Sequence, residues 1–254
     1  MAVTDAGGGA WIRRFHPATE GAPTPPRLVC FAHAGGSASY FHGLSGLLAP
    51  AVEVLALQYP GRQDRHSEAA PTDLRTLAEE IAEVLRPWAA QGPLAYFGHS
   101  MGALVAFETA RRLPPSVLFL SGRRAPSTYR AERVHLLDDD ALVAETALLG
   151  GTDTRLLQDP EIRALVLPVL RADYRALETY RPDPECVVDA PVEVLLGDRD
   201  PKVTEEEARV WKAHTTGGFA VRLFAGGGHF YLAEPERRAE LAALITDRLA
   251  PPAR

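Results

Sequence analysis

Short apolar segments alternate with segments of helical periodicity along most of this 254-residue chain, and that alternation limits its fold more than any other feature. Six apolar runs bounded by turn-forming or polar residues predict strands, at 28–32, 52–57, 94–97, 117–120, 192–196 and 221–224. Four other segments predict helices, at 73–88, 103–113, 204–214 and 235–249. Buried strands that alternate with amphipathic helices indicate an α/β fold, in which helices cover both faces of a mostly parallel sheet.

One segment interrupts this alternation. About 70 residues separate the strand predicted at 117–120 from the one at 192–196, although a simple crossover needs only one helix. Within it lie three segments of helical pattern, at 139–149, 160–170 and 172–180. We interpret residues from about 125 to 187 as a helical lid inserted above the sheet. The alternative is an extra packing subdomain that has no role in access.

The composition suggests how the rest of the chain is divided. Residues 1–26 are rich in Gly, Ala and Pro, which predicts a flexible N-terminal arm, with residues 11–15 as a candidate edge strand. Residues 27–250 then form a single domain that includes the lid. A hydrophobic fraction of 46% is enough to fill a sizeable core in a domain of this length.

Bulk properties disfavour several classes of function. The net charge of −6 gives no overall basic surface for nucleic acid. No apolar stretch approaches the length of a membrane span, and residues 1–5 lack the features of a signal peptide. Cys30 and Cys186 form neither a disulfide framework nor a metal-ligand pattern. We therefore expect a cytoplasmic protein that binds neither nucleic acid nor membrane.

The strongest chemical signal is the run Gly98-His99-Ser100-Met101-Gly102, which matches Gly-x-Ser-x-Gly. The pattern is short, but it lies between a predicted strand and a predicted helix, which is the setting of a nucleophile elbow. The turn in such an elbow is strained and tight, so glycines on both sides of the serine remove steric clashes. The run predicts Ser100 as a nucleophile and the Met101 amide as a donor to an oxyanion.

A serine hydroxyl needs a general base, and the chain order in α/β hydrolases is serine, acid, histidine. Three histidines follow the serine: His135 in the predicted lid, His214 at the end of a predicted helix, and His229 in a glycine-rich loop after the last strand. We expect His214 to be solvated. His229 is the predicted base because its loop can return the imidazole to the sheet edge. The alternative is a packing role beside the two aromatic residues that follow it.

The acid is expected just after the strand at 192–196, where the sequence reads Gly197-Asp198-Arg199-Asp200-Pro201. Asp200 lies past the turn and can point toward His229, so it is the predicted acid. Its role is to hold the imidazole in the correct tautomer and to stabilise the imidazolium. Asp198 is the alternative, but an aspartate within a turn often bonds backbone amides instead.

A second oxyanion donor is expected in the loop after the first predicted strand, which reads His33-Ala34-Gly35-Gly36-Ser37. The paired glycines let the backbone approach a substrate closely, and the Ala34 amide is the predicted donor. His33 is interpreted as structural, with hydrogen bonds that fix the loop. The sequence has no metal-ligand spacing and no glycine motif for phosphates or dinucleotides, so it implies neither a metal nor a cofactor.

With these residues in place, the chain resembles the type II (editing) thioesterases of polyketide and nonribosomal peptide biosynthesis, which belong to the α/β-hydrolase superfamily. The resemblance runs from Trp11 to the last helix. Two runs carry it most specifically, Tyr59-Pro60-Gly61-Arg62 and Gly228-His229-Phe230-Tyr231-Leu232. The runs at 31–37, 97–102 and 197–201 also match, as does Leu167-Pro168-Val169-Leu170-Arg171-Ala172-Asp173 in the lid.

The resemblance implies a substrate and a partner. The substrate is an aberrant or stalled acyl thioester on the phosphopantetheine arm of an acyl or peptidyl carrier domain. An esterase or lipase of free small acyl esters and a product-releasing thioesterase remain as alternatives, because both use the same triad. A protein that only binds ligands is disfavoured, because such proteins usually lack part of the triad.

A docking surface for the carrier is also expected. Carrier domains are usually acidic, so association with this acidic chain needs a local basic rim. Six arginines fall in loops near the predicted site: Arg62, Arg65, Arg123, Arg124, Arg130 and Arg133. The alternative interpretation is that these arginines are scattered charges that increase solubility.

Overall fold

The computed structural model describes residues 9–19, 21, 23–150, 156–183 and 185–250, and a seven-stranded sheet forms its centre. The strands are β1 (Ile12–Arg13), β2 (Arg27–Phe31), β3 (Glu53–Leu57), β4 (Leu94–His99), β5 (Leu118–Ser121), β6 (Val192–Gly197) and β7 (Phe219–Phe224). Their order is β1-β3-β2-β4-β5-β6-β7, and only the β1–β3 pair is antiparallel. The predicted mostly parallel sheet is confirmed, with strand ends within two residues of those expected.

Both faces of the central strands are covered. Every residue of β3, β4, β5 and β6 is buried, and successive side chains of a strand point to opposite faces. The helices around the sheet are α1 (His42–Leu48), α2 (Leu74–Ala89), α3 (Met101–Ala110) and α7 (Pro235–Leu249). Helix α1 packs against α7, and α2 packs against α3. Helix α1 is absent from the sequence prediction, because its two glycines weaken the helical pattern.

The helix predicted at 204–214 is divided into two parts. Helix α6 (Glu205–Arg209) starts with a capping box between Thr204 and Glu207, and a 3-10 helix follows at Val210–His214. In a 3-10 helix, residues three apart lie on one face. Trp211 and His214 are three apart and both are buried, so the change of helix type turns both side chains into the core.

The described part of the lid consists mainly of two helices between β5 and β6. Helix α4 (Asp139–Leu149) follows the capping residue Asp138, and α5 (Pro160–Thr179) follows Asp159. The sequence predicts two segments where α5 is one continuous helix around Pro168. Its buried residues share one stripe, which packs on the domain and offsets the missing hydrogen bond of the proline. Residues 151–155 and 184 lie outside the described residues, and control of access by the lid remains a prediction.

Part of the segment predicted to be a flexible arm is anchored to the sheet. The candidate edge strand is present as β1, whose Ile12 is buried. The residues that follow β1 are held by Glu53 of β3, which accepts hydrogen bonds from Arg14 Nε at 2.9 Å and from the Ala18 amide at 3.3 Å. Residues 1–8, 20 and 22 lie outside the described residues. The flexibility of the arm and the domain limits at 27 and 250 remain predictions.

Candidate active site

Ser100 lies in the turn between β4 and α3 and has a backbone conformation that side chains rarely adopt. Its φ is 54° and its ψ is −115°. Such a conformation in a non-glycine residue costs about 1–3 kcal/mol and persists only where the surroundings enforce it. The Ser100 amide donates to the Ser121 carbonyl of the neighbouring strand at 2.8 Å. The turn is therefore the strained elbow that the sequence predicts.

The glycines on both sides of Ser100 are required by close backbone contacts. A Cβ atom at Gly98 would lie 2.2 Å from the carbonyl oxygen of Gly102. A Cβ atom at Gly102 would lie 2.1 Å from the carbonyl oxygen of Phe31, at the end of β2. The first amides of α3 therefore lie beside the start of the loop at 33–37. Met101 is the first residue of α3, and a helix leaves its first amides without intrahelical partners.

The structure brings Ser100, His229 and Asp200 together in one chain of hydrogen bonds. His229 Nε2 lies 3.1 Å from Ser100 Oγ, and His229 Nδ1 lies 2.8 Å from Asp200 Oδ2. A carboxylate only accepts hydrogen bonds, so Nδ1 carries the hydrogen and Nε2 faces the serine as an acceptor. The Lys202 amide donates to Asp200 Oδ1 at 2.8 Å. The side chains of Asp200 and His229 are only 0% and 3% exposed, which keeps water away from this pair.

The other candidates for the acid and the base lie elsewhere. Asp198 is exposed, and its amide donates to the Phe224 carbonyl at 3.2 Å. His135 lies in the lid and bonds Glu178. The prediction that His214 is solvated is wrong. Its ring is buried, with Nε2 at 2.8 Å from Ser127 Oγ and Nδ1 at 2.8 Å from the Cys186 carbonyl.

A second buried histidine, His99, lies beside this chain of contacts. Its Nδ1 lies 2.9 Å from Ser121 Oγ, which in turn lies 2.7 Å from the Tyr231 hydroxyl. Burial lowers the pKa of His99 far below its usual value, and the neighbouring His229 and His33 lower it further. His99 therefore stays neutral and adds no positive charge next to the imidazole of His229.

His33 has the structural position expected of it, but its ring makes aromatic contacts and its backbone makes the hydrogen bond that fixes the loop. The ring packs edge-on against Tyr40 at 4.6 Å and Phe230 at 4.8 Å between ring centroids, and its Nδ1 has no partner among the described residues. Burial lowers its pKa to about 3, assisted by His229 and Arg62. The backbone of His33 fixes the loop instead, because its carbonyl accepts from the Gly36 amide at 2.9 Å.

That backbone bond also orients the Ala34 amide. The carbonyl of one residue and the amide of the next point in opposite directions across a planar peptide. Since the His33 carbonyl points to Gly36, the Ala34 N–H points away from the turn. Among the residues that the structure describes, this N–H has no hydrogen-bond partner. The amides of Ala34 and Met101 are therefore both available near the Ser100 turn.

A cleft of about 760 Å³ adjoins this loop. Residues 35–37 and 61–70 form one side of the cleft, and residues 164–172 of α5 form the other. Its lining contains both polar and apolar side chains, and its volume is in the range of sites that bind small molecules. Within the described part of the chain, no group of three or more His, Cys, Asp or Glu side chains is placed to hold a metal.

The predicted basic rim is wrong for three of its six arginines. Arg62, Arg65 and Arg124 are buried and pair with Asp173, Glu68 and Glu132. Arg130 and Arg133 are exposed, and Arg123 is half-buried. Arg62 pairs with an acid that is distant in sequence, whereas Glu68 and Glu132 follow Arg65 and Arg124 by only 3 and 8 residues. The composition of a loop does not reveal which of its ion pairs the fold buries.

Sequence reasoning also missed the role of Asp173. It lies on the apolar stripe of α5, between Leu170 and Leu177, and it is buried. An acidic residue on the buried face of an amphipathic helix needs a partner, and this was the available signal. The partner is Arg62 in the Tyr-Pro-Gly-Arg run, 111 residues away in sequence.

Known proteins resemble this chain over nearly its full length, and residues 26–249 match the thioesterase domain family. Thioesterase PikA5 of Streptomyces venezuelae is 53% identical over 230 residues, which cover 88% of this chain and 80% of PikA5. The probable cadicidin biosynthesis thioesterase of Streptomyces griseus is 51% identical over 251 residues, which cover 96% of this chain and 68% of that protein.

A solved structure shows the same fold. The type II thioesterase BorB from the borrelidin biosynthetic cluster has a TM-score of 0.85 and 46% identity, and the match covers 96% of this chain and 99% of BorB. The expected α/β-hydrolase fold is thereby confirmed. None of the helices in the described residues has both the length and the apolar character of a membrane span. The chain belongs to the thioesterase family and is grouped by its relatives with the type II thioesterases of polyketide and nonribosomal peptide pathways.

Proposed function

We propose that this thioesterase hydrolyses aberrant or stalled acyl groups from the phosphopantetheine arm of carrier domains, with Ser100, His229 and Asp200 as its catalytic triad. The observation that carries the proposal is the continuous chain of contacts from Ser100 Oγ through His229 to Asp200. These hydrogen bonds support nucleophilic attack by the serine, because they hold the imidazole in the tautomer that accepts the hydroxyl proton.

The first half of the reaction forms an acyl-enzyme. Ser100 Oγ attacks the thioester carbonyl and passes its proton to His229 Nε2. The amides of Met101 and Ala34 donate to the negative oxygen of the tetrahedral intermediate. The C–S bond then breaks, and the thiol of the arm leaves with the proton from His229.

The second half releases the acid. Water attacks the ester carbonyl of acyl-Ser100 and gives its proton to His229. The second tetrahedral intermediate collapses to the free acid, and Ser100 regains its proton. Throughout, Asp200 remains ionised and stabilises the imidazolium, while the Lys202 amide holds the carboxylate in place.

The carrier-bound substrate is supported by the relatives of this chain. The type II thioesterases that resemble this chain come from polyketide and nonribosomal peptide clusters. The cleft between the loops and α5 adjoins the Ala34 loop and is our candidate for the path of the arm. Both cysteines are buried free thiols, which fits the reducing cytoplasm where we expect the enzyme to act.

The test compares one acyl group on three leaving groups. A polyketide acyl carrier domain is loaded with a hexanoyl-phosphopantetheine arm, and its deacylation is followed by intact-protein mass spectrometry. Hexanoyl-N-acetylcysteamine and p-nitrophenyl hexanoate serve as free thioester and free ester. We expect the highest kcat/KM for the carrier-bound substrate, with hexanoic acid as the product and no turnover by Ser100→Ala.

Each alternative predicts a different result. Equal or higher kcat/KM for the free ester would favour the esterase interpretation. A product-releasing thioesterase would prefer full-length over short or misloaded acyl chains on the same carrier. Turnover by Ser100→Ala at close to the original rate would contradict the mechanism itself.

A further inference from the structure

We propose that Asp173 of the lid helix is a positioning residue that, together with Arg62, holds the Ala34 loop in the shape that receives the oxyanion. The inference rests on the proposed function, because it assumes that the Ala34 amide is an oxyanion donor. It gives α5 a role in the chemical step as well as in covering the site.

Asp173 contacts the loop directly. Its Oδ2 accepts from the Gly35 amide at 2.7 Å and also from Arg62 Nη2. Both side chains of the ion pair are almost completely buried. Leu170, one turn earlier on α5, lies so close to Gly35 that a Cβ atom there would be 3.0 Å from its methyl group. The carboxylate is thereby held against the loop.

Arg62 connects Asp173 to a second point of the loop. Its Nε donates to the Gly36 carbonyl at 2.8 Å, and its Nη1 donates to the Pro60 carbonyl at 2.8 Å. Because the guanidinium is planar, the bonds to the carboxylate and to the two carbonyls fix its orientation. Asp173 therefore acts on Gly35 directly and on Gly36 through Arg62.

The loop needs such external contacts because it contains two consecutive glycines. Gly35 has a φ of 72°, and no side chain in the glycine pair limits rotation of the neighbouring peptides. The Gly36 amide in turn donates to the His33 carbonyl, and that peptide carries the Ala34 N–H. The direction of the Ala34 N–H thus depends on contacts that begin at Asp173.

The charges and hydrogen bonds of Asp173 and Arg62 are consistent with a structural role. Burial raises the pKa of Asp173, whereas the charge of Arg62 and the Gly35 amide oppose that rise. A buried ion pair with satisfied hydrogen bonds gives a defined geometry more than it gives stability. Asp173 therefore connects α5 to the loop that receives the oxyanion, and the exposed residues of the helix lie mostly in its amino-terminal half.

The test is Asp173→Asn, with Glu178→Gln as its matched control. Glu178 is also a buried carboxylate on α5 that accepts from backbone amides, but those amides belong to residues 134 and 135 of the lid. With hexanoyl-N-acetylcysteamine, we expect Asp173→Asn to lower kcat about 10- to 100-fold with KM changed less than about twofold, because loss of a whole oxyanion donor costs about 100- to 1,000-fold. We expect Glu178→Gln to change kcat less than about threefold.

A transition-state analogue separates positioning from general damage. The trifluoromethyl ketone analogue of the substrate forms a tetrahedral adduct with Ser100, so its affinity should fall by the same factor as kcat/KM. Arg62→Lys retains the buried charge pair but cannot also reach Gly36 and Pro60. It should show the same loss and serves as the second variant if Asp173→Asn does not fold.

The outcomes are distinct. Equal losses in kcat for Asp173→Asn and Glu178→Gln, a loss confined to KM, or an unchanged affinity for the ketone would overturn the positioning role. Ser100→Ala must abolish turnover in the same assay. If it does not, the proposed function fails, whereas an inactive Ser100→Ala with equal effects at 173 and 178 refutes only the role of Asp173.

Discussion

Replacing Asp200 by Asn retains the shape of the side chain and removes the charge that His229 contacts. The Asn side chain has one favourable orientation, because its oxygen must accept from the Lys202 amide that now lies 2.8 Å from Oδ1. Its NH₂ group then faces His229 Nδ1, which must become the acceptor. The hydrogen moves to Nε2, 3.1 Å from Ser100 Oγ, where it prevents the imidazole from accepting the serine proton.

The expected size of the effect separates two explanations. Loss of one charge-assisted hydrogen bond is worth about 1.5–3 kcal/mol, or about 10- to 150-fold in rate. A wrong tautomer is more serious, and the same substitution in another serine hydrolase lowers kcat about 10,000-fold. We therefore expect Asp200→Asn to lower kcat about 1,000- to 10,000-fold, which corresponds to about 4–5.5 kcal/mol in the activation barrier.

The assay is steady-state hydrolysis of hexanoyl-N-acetylcysteamine, with thermal unfolding to show that the variant folds. Asp198→Asn is the matched control, because Asp198 lies two residues away and is exposed. We expect it to retain kcat within about twofold. The reasoning is refuted if Asp200→Asn keeps more than a tenth of the original kcat, or if Asp198→Asn loses as much as Asp200→Asn.

Three further predictions concern stability. Gly102→Ala places a Cβ atom 2.1 Å from the Phe31 carbonyl oxygen, so we expect chemical denaturation to show that the free energy of unfolding falls by more than about 3 kcal/mol. Gly218→Ala is the control and should fold normally, because its Cβ atom would lie 3.8 Å from the nearest atom, in Pro191. Burial lowers the pKa of His33 in the folded protein from 6.5 to about 3, so between these pH values the unfolded chain binds a proton at His33 that the folded protein does not. His33 should therefore lower the free energy of unfolding by about 1.4 kcal/mol per unit of decreasing pH in this range, in addition to the contribution of His99. His33→Phe should remove the contribution of His33, and an unchanged pH dependence of stability would contradict this explanation. Glu53→Gln should destabilise the fold by about 1.5–3 kcal/mol, because it removes the charge of a buried carboxylate that accepts hydrogen bonds from Arg14 and Arg27. Glu83→Gln, on an exposed ion pair, should have no measurable effect, and equal losses for the two variants would contradict this explanation.

Much of the fold could be predicted because its determinants are local. The apolar runs of β2 to β7 and the periodicity of the helices depend on residues close together in sequence. The Ser100 elbow is also local, because two glycines, a strand and a helix define the turn. The choice of Asp200 over Asp198 follows the same logic, since the chain direction after β6 decides which carboxylate can turn toward the last loop.

Predictions of exposure succeeded less well. His214 was expected in solvent at the end of a helix, but the change to a 3-10 helix turns it inward. Three of the six loop arginines were expected at the surface and are buried in ion pairs. The countercharges of Arg65 and Arg124 lie within a few residues of them, but their burial depends on packing against distant parts of the chain, such as Trp11 beside Arg65. No short window of sequence contains that information.

The sequence by itself determined the alternating fold and the strained turn at Ser100, because both follow from backbone sterics and short-range periodicity. Only the tertiary structure decided how the Ala34 loop is held. Asp173 and Arg62 meet across 111 residues of chain, and a buried charge is stable only where its partner is brought to it by the fold.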